Sequence, residues 1–284
     1  MMQVRRQKLG MGYPKAGQRD DPQNVLEKIV WQKEGEVSEW RSPHRLKSSQ
    51  MPPVRSFLAA LRDSPQVPAL IAEVKRVSPS RGVLREDFDP VSIAQDYVAG
   101  GAQCLSVLTD AVFFGGGFEV LAAVRGAVEV PLLCKEFVID AAQVYRARQC
   151  GADAVLLIAT ILHDQDLLSL QQLIQSLGMT ALIEVHSREE RDRVLALPNV
   201  ELIGINNRNL ADFTVSLEQT ARLMGELSPE QRRSYLWVSE SGIFSRTDLD
   251  FVAAQGGSAV LVGEALVRQP DITAAVRRLL QPVS

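Results

Sequence analysis

The sequence predicts an α/β fold, a closed (β/α)8 TIM barrel with an N-terminal helical extension. Eight short apolar segments recur from Ala69 onward, and amphipathic segments with helix signals separate them. Continuous apolar runs are typical of parallel strands that are buried on both faces. Eight such units in 284 residues fit a closed barrel. No GxGxxG follows the first run, which argues against an open dinucleotide-binding sheet.

The predicted strands are short and regularly spaced. They are ALIAEVK from Ala69, QCLSVLT from Gln103, PLLCKEF from Pro131, ADAVLLI from Ala152, TALIEV from Thr180, ELIGIN from Glu201, YLWVSE from Tyr235 and SAVLVG from Ser258. Helix signals lie between them: Asp89-Pro90 begins a helix that ends near Gly100, Asp140 begins one that ends at Gly151, and Ser187 caps another. Residues 69–284 therefore form the predicted barrel domain.

Two helices are predicted before the first strand. Asp21-Pro22 is typical of an N-cap followed by proline at the first helical position, and helical spacing continues to about residue 41. A second, short helix is predicted from Arg55 to Arg62. Residues 21–68 are thus expected to pack on the barrel as an extension. Residues 1–20 carry five basic side chains up to Arg19, have no apolar core, and are expected to form a disordered tail.

Composition excludes several functional classes. A net charge of −3 gives no global attraction to nucleic acid or to an anionic membrane, and no apolar run is long enough to span a bilayer. Three cysteines without a CxxC fit a reducing cytoplasm, and three scattered histidines without HExxH disfavour a histidine-based zinc site. No metal and no cofactor are expected.

Polar side chains stand at the ends of five predicted strands, where a purely structural strand would carry Val or Ile. Barrel enzymes place catalysis at these carboxyl ends. Beyond Ala69 the only lysines are Lys75 and Lys135, both at strand ends, and burial can shift a lysine pKa toward neutral pH. A structural layer of ion pairs is the alternative for any one pair. The five strand ends hold Glu73 with Lys75, Lys135, Glu184, Asn206 and Glu240.

The loops after the last two predicted strands are expected to bind phosphate. Ser241-Gly242 follows the seventh strand and Gly263-Glu264 follows the eighth, where this fold usually binds phosphate through backbone N–H groups. The Glu264 side chain would repel phosphate, so only its backbone is expected to take part.

Three further loops face the same end of the barrel. Ser78-Pro79-Ser80-Arg81-Gly82 after the first strand is long enough to close over a ligand, and Phe113-Phe114 beside three glycines after the second suits an aromatic group. Arg208 after the sixth strand offers a fork for a carboxylate, with an ordinary turn as the alternative. Together these residues predict acid–base chemistry on a sugar phosphate that bears an aromatic ring.

At this point the chain resembles the indole-3-glycerol phosphate synthase family from about Asn24 to its end. The motifs that carry the resemblance are IAEVKRVSPSRG from Ile71, FFGGGF from Phe113, LLCKEFVID from Leu132, LIEVHS from Leu182, IGINNRNL from Ile203 and SESGI from Ser239. The resemblance implies a cofactor-free, monomer-sized barrel of tryptophan biosynthesis. Its substrate would be 1-(2-carboxyphenylamino)-1-deoxyribulose 5-phosphate, converted to indole-3-glycerol phosphate, CO₂ and water.

The resemblance also implies residue roles. Lys135 matches the general acid that protonates the ketone oxygen, Glu184 matches the acid–base carboxylate, and Lys75 matches a substrate-contacting lysine that delivers a second proton. Glu73 and Glu240 match orienting carboxylates. The remaining positions match the rest of the site: Asn206 and Arg208 its lining and carboxylate end, Pro79, Phe114 and Phe137 its apolar wall, Ser78 its first loop, and Ser241, Gly242, Gly263 and Glu264 its phosphate end.

Two departures from the family pattern are visible, and two rival functions remain. Glu136 stands where aspartate is common, and Gly263-Glu264 replaces Gly-Ser. Phosphoribosylanthranilate isomerase would share the fold and the phosphate cradle, but it would not need the N-terminal helices or two strand-end lysines. A non-catalytic barrel that binds a phosphometabolite would be expected to lack Lys135 or Glu184.

Overall fold

The chain folds into a closed barrel of eight parallel strands. The computed structural model describes residue 22 and residues 24–40, 51–209 and 213–282. The barrel strands follow the order β1-β10-β9-β8-β7-β6-β5-β4, and β4 pairs with β1 to close it. The strands are β1 (Ala69–Val74), β2 (Val77–Ser78), β3 (Gly82–Val83), β4 (Cys104–Leu108), β5 (Leu132–Lys135), β6 (Ala154–Ile158), β7 (Thr180–Val185), β8 (Leu202–Asn206), β9 (Leu236–Glu240) and β10 (Ala259–Val262).

Each of the eight predicted apolar runs contains one barrel strand, so the predicted fold class is confirmed. Nearly every strand residue is buried, because the sheet packs on side chains inside the barrel and on helices outside it. The pair β2 and β3 forms a small antiparallel hairpin inside the loop after β1. The sequence predicted a long loop after β1, and the structure shows that this loop contains a hairpin beside the barrel mouth.

Helices surround the barrel and precede it. None of the helices in the described ranges is long and apolar enough to cross a membrane. The helices are α1 (Val25–Trp40), α2 (Phe57–Arg62), α3 (Pro90–Gly100), α4 (Phe118–Ala127), α5 (Ala141–Gln149), α6 (Asp164–Ser176), α7 (Arg188–Leu195), α8 (Glu218–Gly225), α9 (Pro229–Ser234), α10 (Arg246–Ala254), α11 (Glu264–Val267) and α12 (Ile272–Leu280).

The N-terminal helices begin later than the sequence predicted. The side chain of Asn24 accepts a hydrogen bond from Glu27 N at 3.0 Å, a capping contact that starts α1 at Val25 rather than at Pro22. Likewise Ser56 caps α2, which starts at Phe57 rather than at Arg55. The predicted cap Asp21 and the predicted basic tail, residues 1–20, lie outside the described residues.

Helix α1 packs its apolar face against the barrel. Leu26, Val30 and Val37 belong to the same buried cluster as the strands. At the C-terminal end of α1, the ring of Trp40 meets Phe118 edge to face, with centroids 5.9 Å apart. Helix α1 is thus part of the barrel's packing.

Candidate active site

One cavity opens at the carboxyl ends of the barrel strands, and it brings all the predicted site residues together. These residues come from strands and loops spread over nearly 200 positions of the chain, so barrel closure is what assembles them. The predicted residues that line the cavity are Glu73, Lys75, Ser78, Pro79, Phe114, Lys135, Phe137, Glu184, Asn206, Arg208, Glu240, Ser241, Gly242, Gly263 and Glu264.

The first lysine of the cavity is paired with a carboxylate of its own strand. Lys75 Nζ contacts Glu73 Oε1, as expected for residues two apart at the end of β1. Burial raises the pKa of Glu73, but Lys75 and Lys135 outweigh burial, so the net pKa lies below the ordinary value. Gly263 lies over this pair, since a Cβ there would stand 2.7 Å from Glu73 Oε1 and 3.3 Å from Lys75 Nζ.

The second lysine, on β5, lies between a carboxylate of β7 and a carboxylate of β9, the strand on the opposite side of the barrel. Lys135 Nζ contacts Glu240 Oε2 and lies 3.4 Å from Glu184 Oε2. The side chain of Lys135 is 14% exposed, whereas the side chains of Glu184 and Glu240 are almost fully buried. The ammonium group of Lys135 therefore contacts two carboxylates that are almost fully buried.

The charges of this cluster move each pKa in a definite direction. Burial lowers the pKa of Lys135, but Glu240, Glu184 and Glu73 outweigh burial and raise it above its ordinary value. Burial raises the pKa of Glu184, but Lys135 and His186 reverse this and lower it. Burial and the charge of Glu184 raise the pKa of Glu240 above its ordinary value, and Lys135 opposes that shift. The lysine pKa does not move toward neutrality as the sequence argument expected, so Lys135 meets a ligand as an ammonium group.

The end of β8 supplies an amide and a guanidinium. The Asn206 side chain helps to lower the pKa of Glu184, and its Oδ1 accepts a hydrogen bond from Arg208 N at 3.0 Å. The Arg208 guanidinium donates to Ser80 Oγ at 3.3 Å, which joins this loop to the β2–β3 hairpin. Burial lowers the pKa of Arg208, and Glu264 opposes that shift. Arg208 remains a cation at the cavity wall.

The apolar wall combines two rings with helix α1. Phe114 and Phe137 lie with ring centroids 5.8 Å apart and planes tilted by 32°. Val25, Leu26 and Ile29 of α1 line the same cavity. The sequence analysis placed this helix on the barrel but did not assign it to the site.

At the predicted phosphate-binding end of the cavity, two residues have left-handed backbone and one carboxylate lies beside two arginines. Ser241 and Gly242 both adopt the left-handed region, at φ 67° and 82°, and a Cβ on Gly242 would stand 2.6 Å from Val215. The carboxylate of Glu264 lies 3.5 Å from Arg81 Nε and 3.2 Å from Arg268 Nη1. Its charge is therefore offset by two arginines, which reduces the repulsion expected for an anion.

A buried ion cluster behind the aromatic wall was missed. Lys33 of α1, 1% exposed, places Nζ 2.7 Å from Asp110 Oδ2 and 3.1 Å from Glu136 Oε1. Asp110 Oδ1 accepts hydrogen bonds from Phe113 N and Phe114 N, and Glu136 Oε1 accepts one from Phe137 N. The available signal was a lysine on the apolar face of α1, a position where lysine is rarely buried without a partner.

A second missed group lies behind Glu184. His186 follows Glu184 by two residues, and its Nε2 lies 3.2 Å from Glu184 Oε1. The spacing of two along the strand was the signal that could have placed both on one side.

Comparisons with known proteins agree with this geometry. The family model described as "Indole-3-glycerol phosphate synthase" matches residues 26–279. Three proteins of that name are similar over nearly the full length of both chains. The protein from Rippkaea orientalis is 54% identical, covering 91% of this chain and 90% of the relative. The one from Microcystis aeruginosa is 53% identical, covering 92% and 90%, and the one from Crocosphaera subtropica is 54% identical, covering 90% and 89%.

Proposed function

The chain belongs to the indole-3-glycerol phosphate synthase family, and on that premise we propose how the cavity residues share the reaction. The enzyme is a carboxy-lyase of tryptophan biosynthesis that acts on a small molecule. It closes an indole ring on 1-(2-carboxyphenylamino)-1-deoxyribulose 5-phosphate and releases CO₂ and water.

In this proposal, Lys135 protonates the ketone oxygen while the ring carbon that bears the carboxylate attacks the ketone carbon. The contact of Lys135 with both Glu240 and Glu184 supports this role, because it keeps the lysine charged inside a largely buried site. The carboxylate then leaves as CO₂, and its electron pair restores the aromatic ring. The observation that carries the proposal is the position of the Lys135 ammonium between the carboxylates of Glu184 and Glu240.

Dehydration uses the remaining charged groups. Glu184, whose pKa is lowered by Lys135 and His186, accepts the proton that the anilino side must lose. Lys75, held by Glu73, delivers a second proton to the leaving oxygen, which departs as water. Asn206 orients Glu184, and Glu240 holds Lys135.

The other lining residues bind the substrate. Phe114, Phe137 and Pro79 pack on the aromatic ring, while Arg208 and Ser78 contact its carboxylate side. The backbone N–H groups near Ser241, Gly242, Gly263 and Glu264 bind the phosphate, and the cations Arg81 and Arg268 beside Glu264 support this assignment. We further propose a cytoplasmic monomer without nucleic-acid partners. The three free cysteines support a reducing compartment.

The test is Lys135→Met, assayed by indole fluorescence with the substrate and without added metal or nucleotide. We expect kcat to fall by about 10²–10⁴-fold, the usual contribution of a general acid, with substrate affinity changed by only a few fold. Lys28→Met, which removes an exposed lysine of α1, is the control and should keep wild-type kcat. Wild-type turnover in Lys135→Met would contradict the assignment of the acid.

A further inference from the structure

Two carboxylates in the cavity share one cation. Lys135 Nζ contacts Glu240 Oε2 and stands 3.4 Å from Glu184 Oε2. The side chains of Glu184 and Glu240 are only 4% and 1% exposed, and burial disfavours the charged form of a carboxyl group. One ammonium group neutralises one carboxylate, so keeping both ionised would leave a buried negative charge. One of the two is therefore expected to hold a proton, and the other neighbours of each carboxylate determine which of them it is.

The second oxygen of Glu184 faces a second cation. His186 Nε2 stands 3.2 Å from Glu184 Oε1. On its other side the imidazole is held by Glu190 and Thr160, since Nδ1 stands 3.5 Å from Glu190 Oε2 and 3.2 Å from Thr160 Oγ1. Burial lowers the pKa of His186, but Glu184 and Glu190 outweigh burial and raise it to about 9. The imidazole is therefore charged at neutral pH, and each oxygen of Glu184 has a cation beside it.

Glu240 differs from Glu184 in the surroundings of its second oxygen. Glu240 Oε1 is buried and has no hydrogen-bond partner among the residues that the structure describes. Gly204 packs against this oxygen, because a Cβ at that position would clash with it. Burial and the charge of Glu184 raise the pKa of Glu240, and Lys135 opposes them. The surroundings therefore favour a proton on Glu240 and a negative charge on Glu184.

The spacing along each strand explains this difference. Residues two apart at a strand end share one side of the strand, so the residue two positions after a carboxylate can contact it. The three cavity carboxylates are followed at this distance by Lys75 after Glu73, His186 after Glu184 and Gly242 after Glu240. Lys75 contacts the carboxylate of its own strand, as His186 does. Glycine offers no such group, so Glu240 depends on Lys135 from another strand.

We propose that His186 keeps the negative charge on Glu184, so that Glu184 and not Glu240 is the carboxylate that accepts a proton from the substrate. This inference rests on the proposed function, because that function assigns proton uptake to Glu184. His186 does not line the cavity and acts through Glu184, so it is a positioning residue. The proton that the buried pair of carboxyl groups retains then lies on Glu240.

The other polar groups near Glu184 agree with this assignment. The side chain of Asn206, at the end of β8, also lowers the pKa of Glu184. Glu73 of β1 is a third carboxylate near Glu184, and Lys75 offsets its charge. The charged form of Glu184 is thus stabilised by groups from more than one strand.

Carboxyl ¹³C NMR of protein labelled at glutamate tests the position of the proton directly, since the chemical shift of a carboxyl carbon reports its protonation. Glu184→Gln and Glu240→Gln, which each lack one signal, assign the two resonances. At pH 7 we expect wild type to show a charged Glu184 and a protonated Glu240. His186→Gln should raise the pKa of Glu184 by about 1–3 pH units, the usual effect of losing an opposite charge at this distance. The pKa of Glu240 should fall, because the two groups share one proton.

The second test is the pH dependence of kcat for His186→Gln, His186→Lys and His163→Gln, a control at a partly exposed histidine. At pH 6.5 we expect His186→Gln to lose about tenfold in kcat, the effect of a change of one pH unit in proton affinity, with KM within a few fold of wild type. The loss should shrink at higher pH, where both carboxylates are ionised. Lysine restores a cation at the spacing that Lys75 already uses, so His186→Lys should keep most of the wild-type kcat.

Either test can overturn the proposal. In the first, the contrary result is a protonated Glu184 in wild type at pH 7, or a pKa of Glu184 that His186→Gln leaves unchanged. In the second, it is a kcat of His186→Gln within about twofold of wild type at pH 6.5, a loss that is equal at every pH, or an equal loss in His186→Lys. If His186→Gln does not fold, the carboxyl signals of His186→Lys decide, because a protonated Glu184 in that variant would contradict the role of the charge. Failure of the proposed function looks different, because wild type and His163→Gln would then form no indole product.

Discussion

Replacing Lys33 by Met tests how the N-terminal helix is held on the barrel. The substitution keeps the length of the side chain and removes its charge. Wild-type Lys33 Nζ lies 2.7 Å from Asp110 Oδ2, 3.1 Å from Glu136 Oε1 and 3.0 Å from Glu36 Oε2. The side chains of Asp110 and Glu136 are fully buried, so the variant leaves two carboxylates without their shared cation.

The expected cost follows from the two ways in which the variant can respond. Removing one partner of a buried ion pair costs about 3–5 kcal/mol. Alternatively one carboxyl takes up a proton, which at pH 7 costs about 1.4 kcal/mol per pH unit above the ordinary glutamate pKa of about 4.3, or about 3–4 kcal/mol. Burial already raises the pKa of Glu136, which marks it as the group that takes the proton.

The second response makes the loss of stability depend on pH. A carboxyl whose folded pKa is raised stabilises the fold below its unfolded pKa and loses that contribution as pH rises. We therefore expect Lys33→Met to be about 3–4 kcal/mol less stable than wild type at pH 7, and only about 1 kcal/mol less stable at pH 5.

Urea denaturation of wild type, Lys33→Met and the exposed-site control Lys28→Met at both pH values measures this difference. A deficit below 1 kcal/mol at pH 7, or one that is equal at both pH values, would refute the reasoning. Because Asp110 and Glu136 bind the backbone of Phe114 and Phe137, the KM of Lys33→Met should also rise.

Three further predictions concern the site itself. The pKa of His186 in the folded protein is raised to about 9. The charged imidazole therefore stabilises the fold fully below pH 6.5, and this contribution of about 3 kcal/mol is lost as pH rises through 9. Urea denaturation of His186→Gln should not show this loss, and an equal dependence of unfolding free energy on pH in both proteins would contradict the prediction. Gly204→Ala places a Cβ against Glu240 Oε1 and should lower kcat roughly tenfold by displacing a carboxylate that holds the acid. Gly126→Ala meets open space and should keep wild-type kcat, and equal kcat in both glycine variants would count against the argument. Phe114→Ala should raise KM about threefold to tenfold through the lost ring contact, and an unchanged KM would show that this ring does not touch substrate.

Much of the fold was readable from local sequence. Each barrel strand is a short apolar run, because both of its faces are buried. Such a run can be recognised in the sequence without knowing which distant residues it contacts. The strand-end residues Lys75, Lys135 and Glu184 were identified for a related reason. Parallel strands of a barrel end on one face, so a polar residue at a strand end predicts a cavity residue before any contact is known.

Helix boundaries were less readable, because several capping residues compete within a few positions. Asp21-Pro22 has the composition of a helix start, yet the side chain of Asn24 makes the capping hydrogen bond that begins α1. The choice between such candidates depends on where the apolar face of the helix meets the barrel.

The tertiary structure alone decided which charges meet. Lys135 pairs with Glu240, 105 residues away, and Lys33 meets Asp110 and Glu136 across three separate elements. Ion pairing depends on separations of a few ångströms and on burial, and barrel closure determines both. The same closure raises the pKa of Lys135, where burial alone would lower it. Sequence therefore predicted which strand-end residues line the cavity, whereas their charge states follow from neighbours that only the closed barrel brings together.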